Sequence, residues 1–479
     1  MPKMKKLFII LLSALFAGLA DAHPWKPKYH VIIDTDGGLD DMKAVSMLLA
    51  SPDVHVMGIT ISPGVLDAES AYIKVKSLLN SFYHNGIPVG INRSAVNKSP
   101  VKFRQPDYKW GDETGISPGS APEAVRVISD ILKNETSKIS FICLGSLSLA
   151  AKASVEIPEF RSRIKEIIWS CEGIRKTDAF NYTIDSPAAK SVLESGIEVK
   201  AVSTVNESQA LYSEDLVTRI RGIRTPYAAK ISDFLGSGAA KSHAFSYRLS
   251  DELIPLYMHF PSYFMIRQTG SISEINILKA DSLKEGICKI LKGETVKKNQ
   301  VINELPSDPS FYFDDVAPAV TYVINRFGNE EWQAGVLANE LHRHLGVYAI
   351  IGVKMGIRAR EYFNVGVDEF EAVSYAGSTP PLSCMNDGIQ VSTGATPGHG
   401  LLKVVNDNPY PKVEFKHLNH KITISLNPDI HSKISGELKE INFIYGLDSD
   451  IYWELVRKNA IKYWRELDRH DIFIIEEIE

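Results

Sequence analysis

Four aspartates crowd into a segment that begins with an apolar run, YHVIIDTDGGLDDMKAVSMLLA at residues 29–50. They are Asp34, Asp36, Asp40 and Asp41. Carboxylates held this close raise each other's pKa unless a cation neutralises them. Because Ca²⁺ and Mg²⁺ take oxygen ligands, this spacing favours a site for a hard divalent cation. The alternative is that Asp40 caps a helix and that the other three carboxylates are solvated turn residues.

The residues on either side of the aspartates predict the elements that position them. The apolar run at 31–33 predicts a buried strand, the glycines at 37–38 a tight turn, and the apolar spacing from 42 to 49 a helix. Asp34 and Asp36 lie two residues apart on the strand, so both side chains leave the same face. Since ligands of α/β proteins bind at the carboxyl ends of such strands, we expect the four carboxylates to converge there.

The composition is that of an ordinary globular protein. The 479 residues are 44% hydrophobic and 23% charged, which allows two or three domains. The formal net charge is -5 and no strong basic run follows the first residues, so a nucleic acid partner is not expected. Four cysteines, at positions 143, 171, 288 and 384, permit three full disulfide pairings, among which the sequence does not choose.

The N-terminus has the pattern of a secretory signal peptide. Lysines at 3, 5 and 6 precede an apolar run at 7–20, and an A-x-A cleavage pattern follows at 20–22. We expect a signal peptide over residues 1–22, cleavage near Ala22, and a mature protein exported to the periplasm or the medium without a stable membrane span. The alternative, an uncleaved anchor, is disfavoured because the run is short for a bilayer span.

Strand and helix patterns alternate over the first part of the chain. Apolar strand patterns at 55–61, 87–91 and 139–144 alternate with helical patterns at 68–81 and 122–134. This alternation predicts an α/β domain built on a mostly parallel open sheet. We place that domain at residues 29–305, a proline-containing linker at 306–324, and a second domain at 325–479.

The aspartate segment resembles the first motif of two enzyme families. As DxDG it is similar to the haloacid dehalogenase phosphatases, in which Asp34 would be a nucleophile and Asp36 a general acid; their later GDxxxD-like motif is not found here. It also resembles the inosine-uridine-preferring nucleoside hydrolases, whose DxDPGxDDAxA pattern is matched by the four aspartates, Gly38 and Ala44, with Gly37 in place of proline. The stretch FNYTIDSPAA at 180–189 is similar to the EFNxxxDPxAA motif of that second family and decides for it.

The resemblance to the nucleoside hydrolases implies a calcium-dependent hydrolase of N-ribosyl bonds that acts on a nucleoside or a related small sugar. Together with the expected signal peptide, this predicts a secreted hydrolase. By this resemblance Asp36 and Asp41 hold Ca²⁺ together with the backbone carbonyl of Leu144, and Asp36 takes the proton of the attacking water. Asp40 and Asn181 bind the sugar hydroxyls. Members of the family often form oligomers, which leaves a homo-oligomer open.

Several positions of the family pattern differ in this chain. The family ends its domain with an HDP motif, whose best match here is His259-Phe260-Pro261. His259 would protonate the leaving base, but Phe260 stands where an aspartate completes the calcium site. Val65 and Ala179 replace an asparagine and a glutamate that bind the sugar. These changes imply a degenerate site with a changed substrate.

A function of another class stays open, in which the protein binds a ligand and a transition metal without catalysis. The two classes are separated by whether another carboxylate, such as Asp251 or Glu252, takes the place of the aspartate missing at position 260. A third hypothesis assigns the activity to the C-terminal domain.

The second domain carries His342, His344 and Cys384 in two stretches, LHRHLG at 341–346 and SCMNDGIQVSTGATPGHG at 383–400. These stretches resemble the E-subunit domain of formylmethanofuran dehydrogenase, which implies a smaller α+β domain of the metal-binding type. Two histidines and one cysteine suit Zn²⁺ or another transition metal. The alternative is an incomplete site with inert residues, since alanine occupies position 395, where that family has a cysteine.

Overall fold

The structure is a computed structural model that describes residues 27–95, 105–173, 178–204, 210–295, 301 and 304–478. The signal peptide expected at residues 1–22 lies outside the described residues. Within the described ranges, no helix combines the length and the apolar character needed to cross a membrane. All four cysteines are buried free thiols.

Thirteen strands and eighteen helices carry the fold in the described part of the chain. The strands are β1 (Tyr29–Thr35), β2 (Val54–Ile61), β3 (Val89–Ile91), β4 (Ile139–Cys143), β5 (Ile164–Cys171), β6 (Val199–Ser203), β7 (Phe264–Thr269), β8 (Ile272–Ile277), β9 (Glu371–Ser374), β10 (Leu402–Val404), β11 (Lys412–His417), β12 (His420–Leu426) and β13 (Phe473–Ile478). The first-domain helices are α1 (Leu39–Ala50), α2 (Ala68–Ser81), α3 (Ala124–Asn134), α4 (Ser148–Glu156), α5 (Phe160–Arg163), α6 (Phe180–Ile184), α7 (Ser186–Leu193), α8 (Glu214–Arg221), α9 (Pro226–Gly236), α10 (Gly238–Lys241), α11 (Leu253–His259) and α12 (Ala280–Leu291). The later helices are α13 (Ala317–Phe327), α14 (Asn329–His342), α15 (Val347–Phe363), α16 (Met385–Thr393), α17 (Pro428–Tyr445) and α18 (Asp450–Glu466).

The first sheet has eight strands in the order β3-β2-β1-β4-β5-β6-β8-β7. Every neighbouring pair is parallel except β7 and β8, which are antiparallel. This confirms the predicted α/β class with a mostly parallel open sheet. The chain order reverses between β1 and β4, and the carboxyl ends of the strands at such a reversal form the crevice where ligands of α/β proteins bind.

The central strands are buried on both faces, which their apolar sequences require. Residues alternate between two cores: Val31 and Ile33 of β1 pack in one cluster, and Ile32 packs in the other. Helices α1, α2, α11 and α12 cover the first face, and α3 and α4 cover the second. The strand ends are therefore the exposed route by which a ligand reaches the sheet.

The second domain is smaller and has a separate sheet, β10-β9-β11-β12-β13, in which β9 and β10 are parallel and the other pairs antiparallel. This confirms the predicted α+β class. Strands β11 and β12 form an antiparallel hairpin, and the last strand is β13. Helix α13 begins inside the segment predicted as a linker, 306–324, and packs Val320 and Val323 into the core of the second domain.

The second domain contacts the amino ends of the first strands. His55, at the start of β2, places its Nε2 3.1 Å from Nε2 of His417 at the end of β11. Gly86 donates its backbone N–H to the Tyr362 carbonyl at 2.8 Å, where α15 ends. Since the aspartates follow the opposite, carboxyl end of β1, the contact between domains and the candidate site lie at opposite edges of the sheet.

Candidate active site

The turn between β1 and α1 holds Asp36 in a tightly packed place. Gly37 has a φ of +75°, a left-handed conformation that glycine adopts without strain. Asp36 Oδ1 accepts the Gly38 N–H at 3.1 Å, and Oδ2 accepts the Val65 N–H at 3.0 Å. A Cβ on Gly64 would lie 2.0 Å from Asp36 Oδ2, so the loop after β2 approaches this carboxylate closely because Gly64 has no side chain.

Asp41 faces Asp36 from the first turn of α1. Its Oδ1 accepts the Thr35 hydroxyl at 2.6 Å and the Asp36 N–H at 3.2 Å. Burial raises the pKa of Asp41 to about 6, and the charge of Asp40 adds to that rise. Burial, followed by the charge of Asp41, also raises the pKa of Asp36 well above its usual value. The two carboxylates therefore repel each other in a site nearly closed to water.

Asp34 supports the cluster from inside the sheet. Its Oδ1 accepts hydroxyl hydrogen bonds from Thr60 at 2.8 Å and Ser62 at 3.1 Å. Its Oδ2 is buried without a hydrogen-bond partner. Burial raises the pKa of Asp34 to about 7. Asp34 thus lies beside β2, whereas Asp36 and Asp41 form the pair next to α1.

Asp251 completes the cluster from a distant part of the chain. Asp40, Asp41 and Asp251 each offer an oxygen within 4.8 Å of the others, the one such group of three acidic, histidine or cysteine side chains among the described residues. Asp251 Oδ1 accepts the Ser170 hydroxyl at 2.5 Å, and Asp41 and Asp251 share a side-chain hydrogen bond. Burial, then the charges of Asp40 and Asp41, raises the pKa of Asp251 well above its usual value.

The structure does not bring His259 or Phe260 to this cluster. Asp251 precedes the first residue of α11, whereas His259 is the last residue of that helix. The length of the helix therefore separates the two residues by about 10 Å. The His259 ring lies 6.0 Å from the ring of Tyr29, the first residue of β1, and Phe260 stacks on Tyr263 at 5.0 Å. The prediction that His259 acts at the aspartate site is contradicted, because α11 runs away from the carboxyl edge of the sheet.

Asn181 and Leu144 lie together at the same edge. Leu144 follows β4 and donates its N–H to the Asp34 carbonyl at 2.9 Å. The Asn181 side-chain amide donates to the carbonyls of Leu144 at 2.8 Å and Ser170 at 3.1 Å. Since Ser170 also binds Asp251, these contacts join the candidate sugar-binding asparagine to the acidic cluster.

The second-domain residues form a separate site. The rings of His342 and His344 have centroids 4.2 Å apart, since Arg343 between them has a left-handed φ of 67° that ends α14. Asp387 Oδ2 lies 2.6 Å from His342 Nδ1, and His342 Nε2 is buried without a hydrogen-bond partner.

Cys384 lies immediately before α16 and lines a cavity of about 500 Å³ together with His344. Burial raises the pKa of the Cys384 thiol to about 11, and the nearby Asp387 charge adds to this. A helix start usually favours the thiolate. Here burial outweighs it, so the thiol is neutral in the metal-free chain.

Residues 31–309 of the 479 match the sequence profile of the family described as inosine-uridine preferring nucleoside hydrolase. The chain belongs to this nucleoside hydrolase family. Residues 341–442 match a second profile, described as FmdE, molybdenum formylmethanofuran dehydrogenase operon. The two matches support the predicted two-domain architecture, a nucleoside hydrolase domain followed by an FmdE-like domain.

Among characterised relatives, the nucleoside hydrolase domain is similar to the non-specific ribonucleoside hydrolase RihC of Salmonella paratyphi A, with 25% identity over 206 residues. That match spans 40% of this chain and 66% of the relative, just under two thirds of its length. RihC of Salmonella newport gives the same identity and coverage.

Two solved nucleoside hydrolases are similar in structure. The inosine-uridine preferring nucleoside hydrolase of Bacillus anthracis has a TM-score of 0.45 and 19% identity, over 55% of this chain and 99% of that one. The purine-preferring ribonucleoside hydrolase of Gardnerella vaginalis has a TM-score of 0.45 and 17% identity, over 56% of this chain and 99% of that one.

The oxygen atoms at the cluster of this nucleoside hydrolase domain fit a hard cation. Asp40, Asp41 and Asp251 are within ligand distance of one another, and Asp36 shares its environment with Asp41. Their mutual repulsion is the property that a bound dication removes. Carboxylate and carbonyl oxygens are the donors that Ca²⁺ takes in proteins.

The sequence analysis named Asp251 only as one possible replacement for the aspartate missing at position 260, and it did not predict the contacts that hold Asp251 beside Asp40 and Asp41. The signal was present: Ser250-Asp251-Glu252 precedes an apolar run that forms α11, and such polar residues are typical of a helix start. Gln105 was also missed; its side-chain carbonyl accepts the Leu39 N–H at 2.8 Å, at the start of α1. Nothing in the local sequence pairs Gln105 with that helix.

Proposed function

We propose that the first domain hydrolyses the N-glycosidic bond of a nucleoside or a related N-ribosyl compound, with calcium as its cofactor. The observation that supports the proposal is the position of Asp251 beside Asp40 and Asp41, where it would supply the carboxylate missing at position 260. Asp36, Asp41 and Asp251 would hold the cation together with the Leu144 carbonyl. The family match supports the reaction class, and the acidic, oxygen-only cluster supports the metal.

Calcium, when bound, supplies a Lewis acid that lowers the pKa of a water molecule and neutralises the carboxylates. Asp36 is the proposed general base, because it is buried beside Asp41 and its two oxygens accept hydrogen bonds from the backbone N–H groups of Gly38 and Val65. Those two donors fix the carboxylate orientation, which a general base needs before it can take a proton. His259 has no part in this mechanism.

Asp40 and Asn181 are the proposed contacts for the sugar hydroxyls. Asp40 is partly exposed at the start of α1, and Asn181 reaches the Leu144 carbonyl from α6. Val65 and Ala179 stand where the family pattern has further polar side chains. Fewer hydroxyl contacts favour a substrate other than an unmodified ribonucleoside, such as one with a changed sugar.

The test is release of reducing sugar from a panel of ribonucleosides, deoxyribonucleosides and other N-glycosides. The chain starting at His23 is assayed with added calcium, with a chelator, and as Asp36→Ala. We expect turnover that is lost in both controls, and retained by His259→Gln, which alters the opposite end of α11. Turnover unaffected by the chelator, or by Asp36→Ala, contradicts the proposal.

Export belongs to the same proposal. The lysines, apolar run and A-x-A pattern at residues 1–22 support cleavage after Ala22. N-terminal sequencing of the protein expressed from its full gene, with fractionation of the cells, tests this. We expect a chain that starts at His23 outside the cytoplasm; an intact Met1 in the cytoplasm contradicts it.

A second candidate function is transition-metal binding by the FmdE-like domain. His342 supports it, because Asp387 orients one ring nitrogen and leaves the other buried without a partner, an arrangement typical of metal-ligating histidines. His344 and Cys384 would be further ligands. Titration with Zn²⁺ tests it: we expect one equivalent bound by the full chain and loss of that equivalent in His342→Ala, whereas unchanged stoichiometry contradicts it.

A further inference from the structure

Next to the acidic cluster lies a buried ion pair that the proposed mechanism does not use. Lys43, two residues after Asp41 on α1, places Nζ 2.6 Å from Oε1 of Glu252, the neighbour of Asp251. Both side chains are 0% exposed. The pair therefore joins the helix that carries Asp40 and Asp41 to the segment that carries Asp251.

Lys43 also holds the backbone of that segment. Its ammonium group donates to the carbonyls of Ser246 and Arg248, both at 3.1 Å. A lysine has three donors, and Glu252 and these two carbonyls account for all three. No donor remains for a ligand, so Lys43 is a structural anchor rather than a group that contacts substrate.

Glu252 closes the segment from the other side. Its Oε1 accepts the Tyr212 hydroxyl at 3.0 Å, and its Oε2 accepts the Ser250 N–H at 2.9 Å. The backbone from 246 to 252 is thus fixed at its carbonyls by Lys43 and at its N–H by Glu252. Asp251 lies between these contacts, and its direction is set by them and by Ser170.

Stability alone does not account for such a pair. Two buried charges lose their hydration, and replacement by apolar residues of similar volume is often neutral or stabilising. Retaining the pair makes physical sense where the exact geometry of neighbouring groups matters, as in the outer shell of a metal site.

We propose that Lys43 and Glu252 are positioning residues that set Asp251 against Asp40 and Asp41, and so determine the affinity of the cluster for a divalent cation. This inference rests on the proposed calcium site. It concerns residues that act through Asp251 and contact neither substrate nor cation.

The experiment compares Lys43→Met with Lys354→Met. Lys354 forms an equivalent buried pair with Glu331, at 2.5 Å and 0% exposure of both side chains, but in the second domain. Calcium affinity is measured by calorimetry and unfolding by urea. We expect Lys43→Met to weaken calcium binding about tenfold or more, the usual cost of losing an outer-shell partner, and Lys354→Met to leave it unchanged. Lys43→Arg, which keeps a buried cation with several donors, restores most of the affinity.

A second measurement covers variants that fold poorly and does not depend on calcium. Glu252→Gln keeps the size of the side chain, and hydrogen exchange reports the backbone amides at 246–252 in the calcium-free chain. We expect faster exchange there than in the wild type. Unchanged calcium affinity in Lys43→Met with lowered stability overturns the inference, and so does unchanged exchange in Glu252→Gln.

The same data separate this inference from the proposed function. A wild-type chain that binds calcium but cleaves no nucleoside contradicts the hydrolase, while the affinity comparison still decides the positioning role. A wild-type chain that binds no calcium contradicts both.

Discussion

Asp251 and Ser170 come from distant parts of the chain, and their hydrogen bond of 2.5 Å places a third carboxylate beside Asp40 and Asp41. Burial and the charges of its neighbours raise the pKa of this carboxylate, so its negative charge is neutralised either by a proton or by a bound cation. Its removal therefore changes metal affinity more directly than it changes folding.

Asp251→Asn tests this at the scale of one side chain. The amide keeps the shape but removes the charge, so we expect calcium affinity to fall by about tenfold or more and nucleoside turnover to fall with it. Phe260→Leu is the matched control, since position 260 lies at the far end of α11. A larger loss of calcium affinity in Phe260→Leu than in Asp251→Asn would contradict this prediction.

Gly64→Ala is a second test of the same environment. The added Cβ would lie 2.0 Å from Asp36 Oδ2, and overpacking of this kind costs about 1–3 kcal/mol. We expect lower stability in urea and weaker calcium binding, because Asp36 must move. Gly119→Ala, where the nearest atom is 3.9 Å away, serves as control. Equal behaviour of the two variants would show that Asp36 moves freely.

Periodicity, which shows where a strand ends, indicated Asp36, Asp40 and Asp41 as neighbours at one strand end, and the family resemblance indicated Asn181. It did not place Asp251, since the nearest motif match in letters, His259-Phe260-Pro261, lies at the wrong end of a helix. A sequence motif does not show which end of a helix faces the site. Here that orientation depends on contacts between residues more than two hundred positions apart, such as Lys43 and Ser246.

At the scale of elements, glycines have different roles in three helices of the second domain. In α16, a Cβ on Gly388 would lie 2.1 Å from the Ala349 carbonyl oxygen, and on α15 a Cβ on Gly352 would lie 2.1 Å from the Met385 carbonyl oxygen. The close crossing of α15 and α16 requires both glycines. In α17, Gly436 has no atom within 4 Å of its Cβ position.

Substitution by alanine at these positions should change stability in opposite directions. Gly436→Ala raises helix propensity in an exposed interior position and is expected to add about 0.5–1 kcal/mol to the unfolding free energy. Gly388→Ala forces α15 and α16 apart and is expected to destabilise the domain by about 1–3 kcal/mol. Urea unfolding monitored by fluorescence measures both, and the same sign for both would contradict the packing described.

At the scale of the whole molecule, three buried histidines line the contact between the domains. His55 pairs with His417, and His84 contacts the Glu361 carbonyl oxygen at 2.6 Å and the Tyr227 hydroxyl at 2.8 Å. Burial lowers the pKa of His417 and His84 to about 4, and that of His55 well below its usual value. The other titratable groups that act on the His55–His417 pair are His30, His420, Glu135 and Glu369.

These depressed pKa values predict acid sensitivity of the contact. Below pH 6.5 the histidine at position 417 binds a proton in the unfolded chain but stays neutral in the folded chain. The contribution of His417 to stability is therefore complete above pH 6.5 and is lost as the pH falls towards 4. Between pH 7 and pH 5 we expect the wild type to lose about 2 kcal/mol more than His417→Gln. Glu369, whose pKa burial raises to about 7, works in the opposite direction but is present in both proteins. Equal pH dependence of the two would contradict the prediction.

The α/β class of the first domain was predictable from its alternating strand and helix patterns, and the α+β class of the second domain was implied by the resemblance of its histidine and cysteine stretches to a known family. The contact between the domains was not predictable, because His55 and His417 lie in strands of two separate sheets, and nothing in either strand pattern indicates the other. Helix α13 was partly predicted as linker for the same reason; its buried Val320 faces a core supplied by later elements.

The docking of the second domain at the amino edge of the sheet bears on the transfer of a ligand between the two sites. Strand β1 has seven residues and spans about 23 Å, so the sheet separates the acidic cluster from everything that the second domain contacts. Under the proposed function, a released sugar or base would leave at the carboxyl edge, whereas the described residues of the second domain contact the amino edge.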